Sequence, residues 1–148
     1  MAVIGIMSAM HEELAAVLAA MPDEQGVQVA GRDFWVGHWQ GHSVVAVLSR
    51  IGKVAAATTA TVLLERFEVD TLVFTGVAGG LGCGVRVGDV VVADGFVQHD
   101  MDASPLFPRH EVPLYGRARF EADADLGRQL AQASEQVLAN AALHLGAG

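Results

Sequence analysis

Short apolar runs of strand length alternate along this chain with longer stretches whose apolar residues recur at helical spacing. Val3 to Met7 reads as a short buried strand. Ser8 is then placed to N-cap a helix running through Glu12, Leu14, Val17 and Leu18 and ending near Met21-Pro22. Three strand-like runs follow, Gly26 to Ala30, Asp33 to Trp39 and His42 to Ser49. Gly31 and Gln40-Gly41 separate them, which predicts a meander of antiparallel hairpins. Val54 to Phe67, rich in Ala with Leu63 and Leu64, predicts a helix buried on one face, and Asp70 to Phe74 a second buried strand. Val85 to Val92 predicts another strand, since Val90-Val91-Val92-Ala93 is strongly β-forming. From Gln98 to Tyr115 the pattern breaks, with three prolines and scattered charge. Helical spacing returns from Glu121 to Leu145 through Leu126, Leu130, Val137 and Leu138.

This order predicts an α/β fold with a mixed central sheet flanked by helices. The last helix has no strand after it to cross to, so residues 1–148 read as a single domain truncated at its C-terminus.

Composition narrows the class of function. The chain carries a net charge of −8, and Lys53 is its only lysine. Nucleic-acid binding needs clustered Lys and Arg, so no nucleic-acid partner is expected. No apolar stretch approaches the roughly 18 residues of a membrane span, so no membrane partner is expected either. The single Cys83 cannot form an internal disulfide, which fits a reducing, cytoplasmic compartment.

Candidate chemistry gathers at three strand-to-helix junctions. Thr75-Gly76-Val77-Ala78-Gly79-Gly80-Leu81 follows a strand with a glycine-rich turn, which lets a ligand lie against bare backbone. Open α/β sheets bind small molecules at such carboxyl ends. Glu12 and Glu13 follow the first strand, placed either to stabilise a helix N-terminus or to take a proton from water as a general base. Gly52-Lys53 is not a P-loop, because Val54 replaces the Ser/Thr and Val47 the first glycine. Gly5 to Met10 lacks the later glycines of a dinucleotide fingerprint. His99, Asp100 and Asp102 with His110 do not make a metal site by themselves, because His99 and Asp100 would point to opposite faces of a strand.

Five segments together resemble the 5′-methylthioadenosine/S-adenosylhomocysteine nucleosidases of the nucleoside phosphorylase/hydrolase superfamily. They are Gly5 to Glu13, Ser49 to Ala56, Thr75 to Leu81, Val87-Gly88-Asp89-Val90-Val91-Val92-Ala93-Asp94 and His99-Asp100-Met101-Asp102, in that order. The resemblance implies a nucleoside phosphorylase-like fold and a homodimeric hydrolase without metal or cofactor. Its substrate would be a purine nucleoside, cleaved at the N-glycosidic bond through an oxocarbenium-like state to release adenine.

By the same resemblance Glu13 is the water-activating base, and Met10 and Ile51 line the 5′-thio substituent. Ala78 and Gly79 line ribose and purine beside Val77. Leu106, Phe107 and Pro113 are the residues that would close the 5′ pocket of a neighbouring subunit. Val77 departs from relatives with serine there, and a valine side chain cannot hydrogen-bond phosphate, which favours hydrolysis over a purine nucleoside phosphorylase. Arg50 reads as a solvated surface charge, with an anion contact as its alternative. The family's later half carries a Met-Glu-rich ribose-binding segment and an aspartate that protonates adenine, and nothing after Gly116 resembles either. Asp123 and Asp125 instead fit a helix start. A purine nucleoside phosphorylase and, third, a non-catalytic nucleoside-binding fragment are the alternative expectations.

Overall fold

The computed structural model describes residues 2–145, which fall into two compact units, the chain passing from one to the other between Gly79 and Gly80. The first holds β1 (Val3–Ser8), α1 (His11–Ala19), β2 (Gln25–Val29), β3 (Arg32–Trp39), β4 (His42–Leu48), α2 (Lys53–Arg66) and β5 (Thr71–Phe74). Its five strands form one mixed sheet in the order β2-β3-β4-β1-β5. β2, β3 and β4 are the expected antiparallel meander, and β1 runs parallel to both β4 and β5.

Alternation of side chains along each strand sorts two cores onto opposite faces of this sheet. On one face Ile6, Val44 and Ala46 pack beneath Leu14, Val17 and Met21 of α1 and the loop after it. On the other, Met7, Phe34, Val45 and Val47 meet Leu63 of α2 and Val69. Val44 to Val47 are all buried, as expected of a strand covered on both sides. Phe34 stacks on Phe67 with ring centroids 4.7 Å apart. Asp23 ties the loop after α1 to β3, accepting hydrogen bonds from His38 N–H and pairing with the His38 ring at 2.8 Å.

Three expectations for this unit need correction. Ser8 does not cap α1: it ends β1 fully buried, and Met10 takes the N-cap position in extended conformation. β5 is not a buried strand: it is only partly buried, with Phe74 exposed, and among the described residues it lies at the sheet edge. Arg50 is not solely solvated, because its guanidinium donates a 2.8 Å hydrogen bond to the Gly31 carbonyl in the β2–β3 turn.

The second unit contains β6 (Gly95–Val97), β7 (Arg119–Glu121) and α3 (Ala124–Leu145). β6 and β7 pair antiparallel, braced by Arg119, which donates to Asp94 at 2.8 Å and Glu121 at 2.9 Å. Asp123 caps α3, its Oδ1 accepting the N–H groups of Asp125 and Leu126, each at 2.9 Å. The expected helix from Glu121 thus begins three residues later, and Glu121 itself belongs to β7.

The strand expected at Val85 to Val92 is absent. Arg86 to Asp89 forms a turn, Asp89 accepting the Arg86 N–H at 2.8 Å, and Val90 to Ala93 is irregular. β-propensity expresses itself through a ladder and packed neighbours, and this run has no ladder partner among the described residues. The loop across Gln98 to Tyr115 is irregular as expected, apart from one bridge between Val112 and Arg117.

Phe34 is fully buried, so Phe34→Ala should destabilise the first unit by about 3–5 kcal/mol. A urea melt will show this as a lower midpoint at unchanged slope.

Candidate active site

Parallel pairing brings the carboxyl ends of β1, β4 and β5 to one edge of the first unit. Ser49 N–H donates to the Ser8 carbonyl at 2.7 Å, and Thr75 N–H to the Met7 carbonyl at 3.0 Å. The chain after each strand therefore leaves the sheet at the same edge. After β4 it turns sharply: Arg50 sits at φ 68° and Gly52 at φ 105°, the second a conformation that a Cβ would strain. Gly52 carbonyl then accepts the Ala56 N–H at 2.9 Å as α2 begins.

Glu13 is the third residue of α1, and its carboxylate is directed back along the helix to this edge. Oε2 accepts the N–H of Ala9 at 3.0 Å and of Met10 at 2.9 Å. The Met10 N–H is one of the amides that a helix start leaves without an intrahelical partner, and the Ala9 N–H lies just before it. Oε1 accepts the Val77 N–H at 2.8 Å, across 64 residues of sequence. The side chain thus ties the first junction to the glycine turn after β5.

Those bonds hold the Glu13 carboxyl below its ordinary range. The Val77 N–H contributes most, the Met10 and Ala9 N–H groups add to it, and partial burial acts in the opposite direction. At neutral pH the group is an oriented anion with acceptor capacity remaining. Such a group can fix a water molecule and receive its proton.

The structure brings Glu13, the Met10 backbone and Val77 into direct contact. Ile51 belongs to the β4–α2 turn at the same edge, with its side chain 79% exposed. Val77 is 81% exposed, and Ala78 and Gly79 are also open. Leu106, Phe107 and Pro113 lie in the second unit. There Leu106 and Phe107 N–H groups both donate to the Ala103 carbonyl, with Leu106 exposed and Phe107 and Pro113 partly buried. In the same loop Asp102 accepts from both the N–H and hydroxyl of Ser104, which lowers its pKa.

Sequence reasoning missed two parts of this arrangement. One is the set of amides on Glu13, for which no Ser, Thr, Asp or Asn at position 10 gave a signal. The other is Gly76, where a side chain would stand against the Glu13 carboxylate. A hollow of about 240 Å³ also opens in this unit, lined by Ile4, Ile6, Trp39, Gln40, His42 and Val44. It borders the starts of β1 and β4, away from Glu13.

Residues 3–147 match the sequence profile described as the phosphorylase superfamily. A 5′-methylthioadenosine/S-adenosylhomocysteine nucleosidase of Marinomonas sp. (strain MWYL1) is 45% identical over 104 residues, covering 70% of this chain and 45% of that protein. The nucleosidase of Geobacillus thermodenitrificans is 39% identical over 133 residues, covering 89% of this chain and 56% of its own length. Among solved structures, the Colwellia psychrerythraea nucleosidase in complex with adenine superposes with a TM-score of 0.87 at 36% identity, over 92% of this chain and 56% of that one. The Neisseria meningitidis nucleosidase with methylthio-immucillin-A gives 0.88 at 30% identity, over 93% and 59%. The chain spans about half the length of the curated relatives it matches.

Because folding depresses the Glu13 pKa, the stability its hydrogen bonds supply is present above the ordinary 4.5 and lost as pH falls through the lower folded value. Thermal melts of wild type and Glu13→Gln from neutral pH downward should converge in that acidic window, and parallel curves would contradict this assignment.

Proposed function

The chain belongs to the phosphorylase superfamily, and from that membership we propose that it carries the water-activating half of a 5′-methylthioadenosine/S-adenosylhomocysteine nucleosidase. The reaction is hydrolysis of the N-glycosidic bond with release of adenine, and Glu13 is the base. Oxygen from water bonds to C1′ while the bond from C1′ to the purine nitrogen breaks, its electron pair leaving with adenine. Water's proton passes to the Glu13 carboxylate, and adenine takes up a proton as it departs. The observation that carries this reading is the Glu13 carboxylate, anchored by three backbone amides against the turn after β5.

Each remaining site residue takes a passive role. Met10 and Ile51 form the apolar wall for the 5′-thio substituent, while Val77, Ala78 and Gly79 border ribose and purine. A weakly basic carboxylate suits this chemistry, because water attacking a cationic sugar becomes acidic as the bond forms. Phosphorolysis is not favoured: the Val77 side chain offers no donor, and its N–H is already committed to Glu13. A non-catalytic nucleoside-binding module is the second reading, favoured by the three backbone amides that already employ the Glu13 carboxylate as a structural tie.

The protein is proposed to work in the cytoplasm, in methionine salvage. No helix among the described residues is long and apolar enough to cross a membrane. It is further proposed to act as a homodimer in which Leu106, Phe107 and Pro113 of one copy close the 5′ pocket of the other. The exposure of Leu106, at 84%, supports that use. Sedimentation should then show a dimer, and Leu106→Asp should shift it toward monomer.

Catalysis is tested by adenine release from methylthioadenosine, with and without phosphate, alongside calorimetry with adenine. The expected result is phosphate-independent release that falls by roughly 10²-fold or more in Glu13→Gln. Adenine binding without release would favour the binding module, and neither binding nor release would overturn both readings.

A further inference from the structure

Gly76 has no positive φ, so its backbone conformation is open to any residue and does not itself demand glycine. What demands it is space. A Cβ built on Gly76 would stand 2.8 Å from Oε1 of Glu13, 2.9 Å from its Cδ and 3.0 Å from Oε2. Real carbon atoms do not approach a carboxylate so closely, and although the carboxylate ends a flexible side chain, it can swing aside only by giving up its bonds to Ala9, Met10 and Val77. By contrast, Gly79 in the same turn and Gly26 in β2 meet nothing within 4 Å.

The acceptor geometry adds a second observation. A carboxylate offers about four lone-pair directions. Oε2 uses two of its own on Ala9 and Met10, and Oε1 uses one on Val77. The acceptor direction left open therefore belongs to Oε1, the oxygen nearest the Gly76 Cβ position.

We infer that Gly76 is a positioning residue for Glu13: its missing side chain is the volume that lets the carboxylate lie against the turn, with Oε1 presented to water as the proton-accepting atom. The claim about Oε1 rests on the reading of Glu13 as the base. The claim about Gly76 is one of geometry and is tested separately.

The experiment is a carboxyl NMR titration of the full chain carrying ¹³C-labelled glutamate, for wild type, Gly76→Ala and, as control, Gly26→Ala. In wild type Glu13 should titrate below the ordinary glutamate value of 4.5. In Gly76→Ala its midpoint should return toward that value, and the Val77 amide should lose its hydrogen-bonded shift. Gly26→Ala should change neither. An unmoved Glu13 midpoint in Gly76→Ala would overturn the inference, as would an equal shift in Gly26→Ala.

Should Gly76→Ala fail to fold, the pair Glu13→Ala and Glu13→Ala with Gly76→Ala decides the matter. With the carboxylate gone the added methyl has room, so both proteins should melt together. A loss of folding in the double variant as complete as in Gly76→Ala would refute the steric origin. In the adenine-release assay, Gly76→Ala should lower kcat by roughly 10²-fold while KM changes little. A failure of wild type to release adenine would remove the assignment of Oε1 as a base while leaving the titration result for Gly76 standing, so the two claims fail separately.

Discussion

The arrangement at the sheet edge depends on one carboxylate being shared between two parts of the backbone. Glu13 supplies acceptors to Ala9 and Met10 at the start of α1, and to Val77 after β5. Without it, three N–H groups would need other partners, and the glycine turn would lose its tie to the first strand-helix junction. The same contacts favour the charged form of the side chain. Structural and chemical demands therefore coincide: an anion that holds two segments together is also an anion ready to orient water. The compromise is basicity. Each hydrogen bond that fixes the carboxylate also makes it a weaker base, which is tolerable only where the proton to be taken is already acidified by bonding to a cationic carbon.

The scaffold explains why these groups meet. β1 lies between β4 and β5, parallel to both, so three strands deliver their following turns to one edge. The antiparallel meander extends the sheet on the far side and supplies Phe34 and Trp35 to its two faces. α1 covers one face and α2 the other, and burial of Leu14 and Leu63 fixes both helices from below. The start of α1 is thereby held where its third residue reaches the end of β5.

Much of this was legible from residue pattern alone. Two-residue alternation bounded by Gly31 and Gln40-Gly41 identified the meander to within a residue or two, because local turn chemistry and side-chain alternation act over short distances. The run Val3 to Met7 and the helix through Leu14 and Val17 were equally plain. The errors share one cause, which is dependence on partners remote in sequence. Val90 to Ala93 has the composition of a strand, but a strand exists only with a ladder beside it. Ser8 has the chemistry of a cap, but parallel pairing with β4 runs through it and displaces the helix start to His11. Arg50 looks like a surface charge until the β2–β3 turn brings the Gly31 carbonyl to it.

The amino-acid sequence by itself determined the strand and helix alphabet of the first unit, the glycine turn, and the family to which the chain belongs. These rest on local periodicity and on motif order, which need no knowledge of what folds against what. Tertiary structure alone decided that Glu13 touches Val77, that Gly76 is glycine because a carboxylate occupies the place of its side chain, and that β5 forms an edge. Contacts across some sixty residues depend on chain reversal and sheet register, and no short-range pattern encodes them.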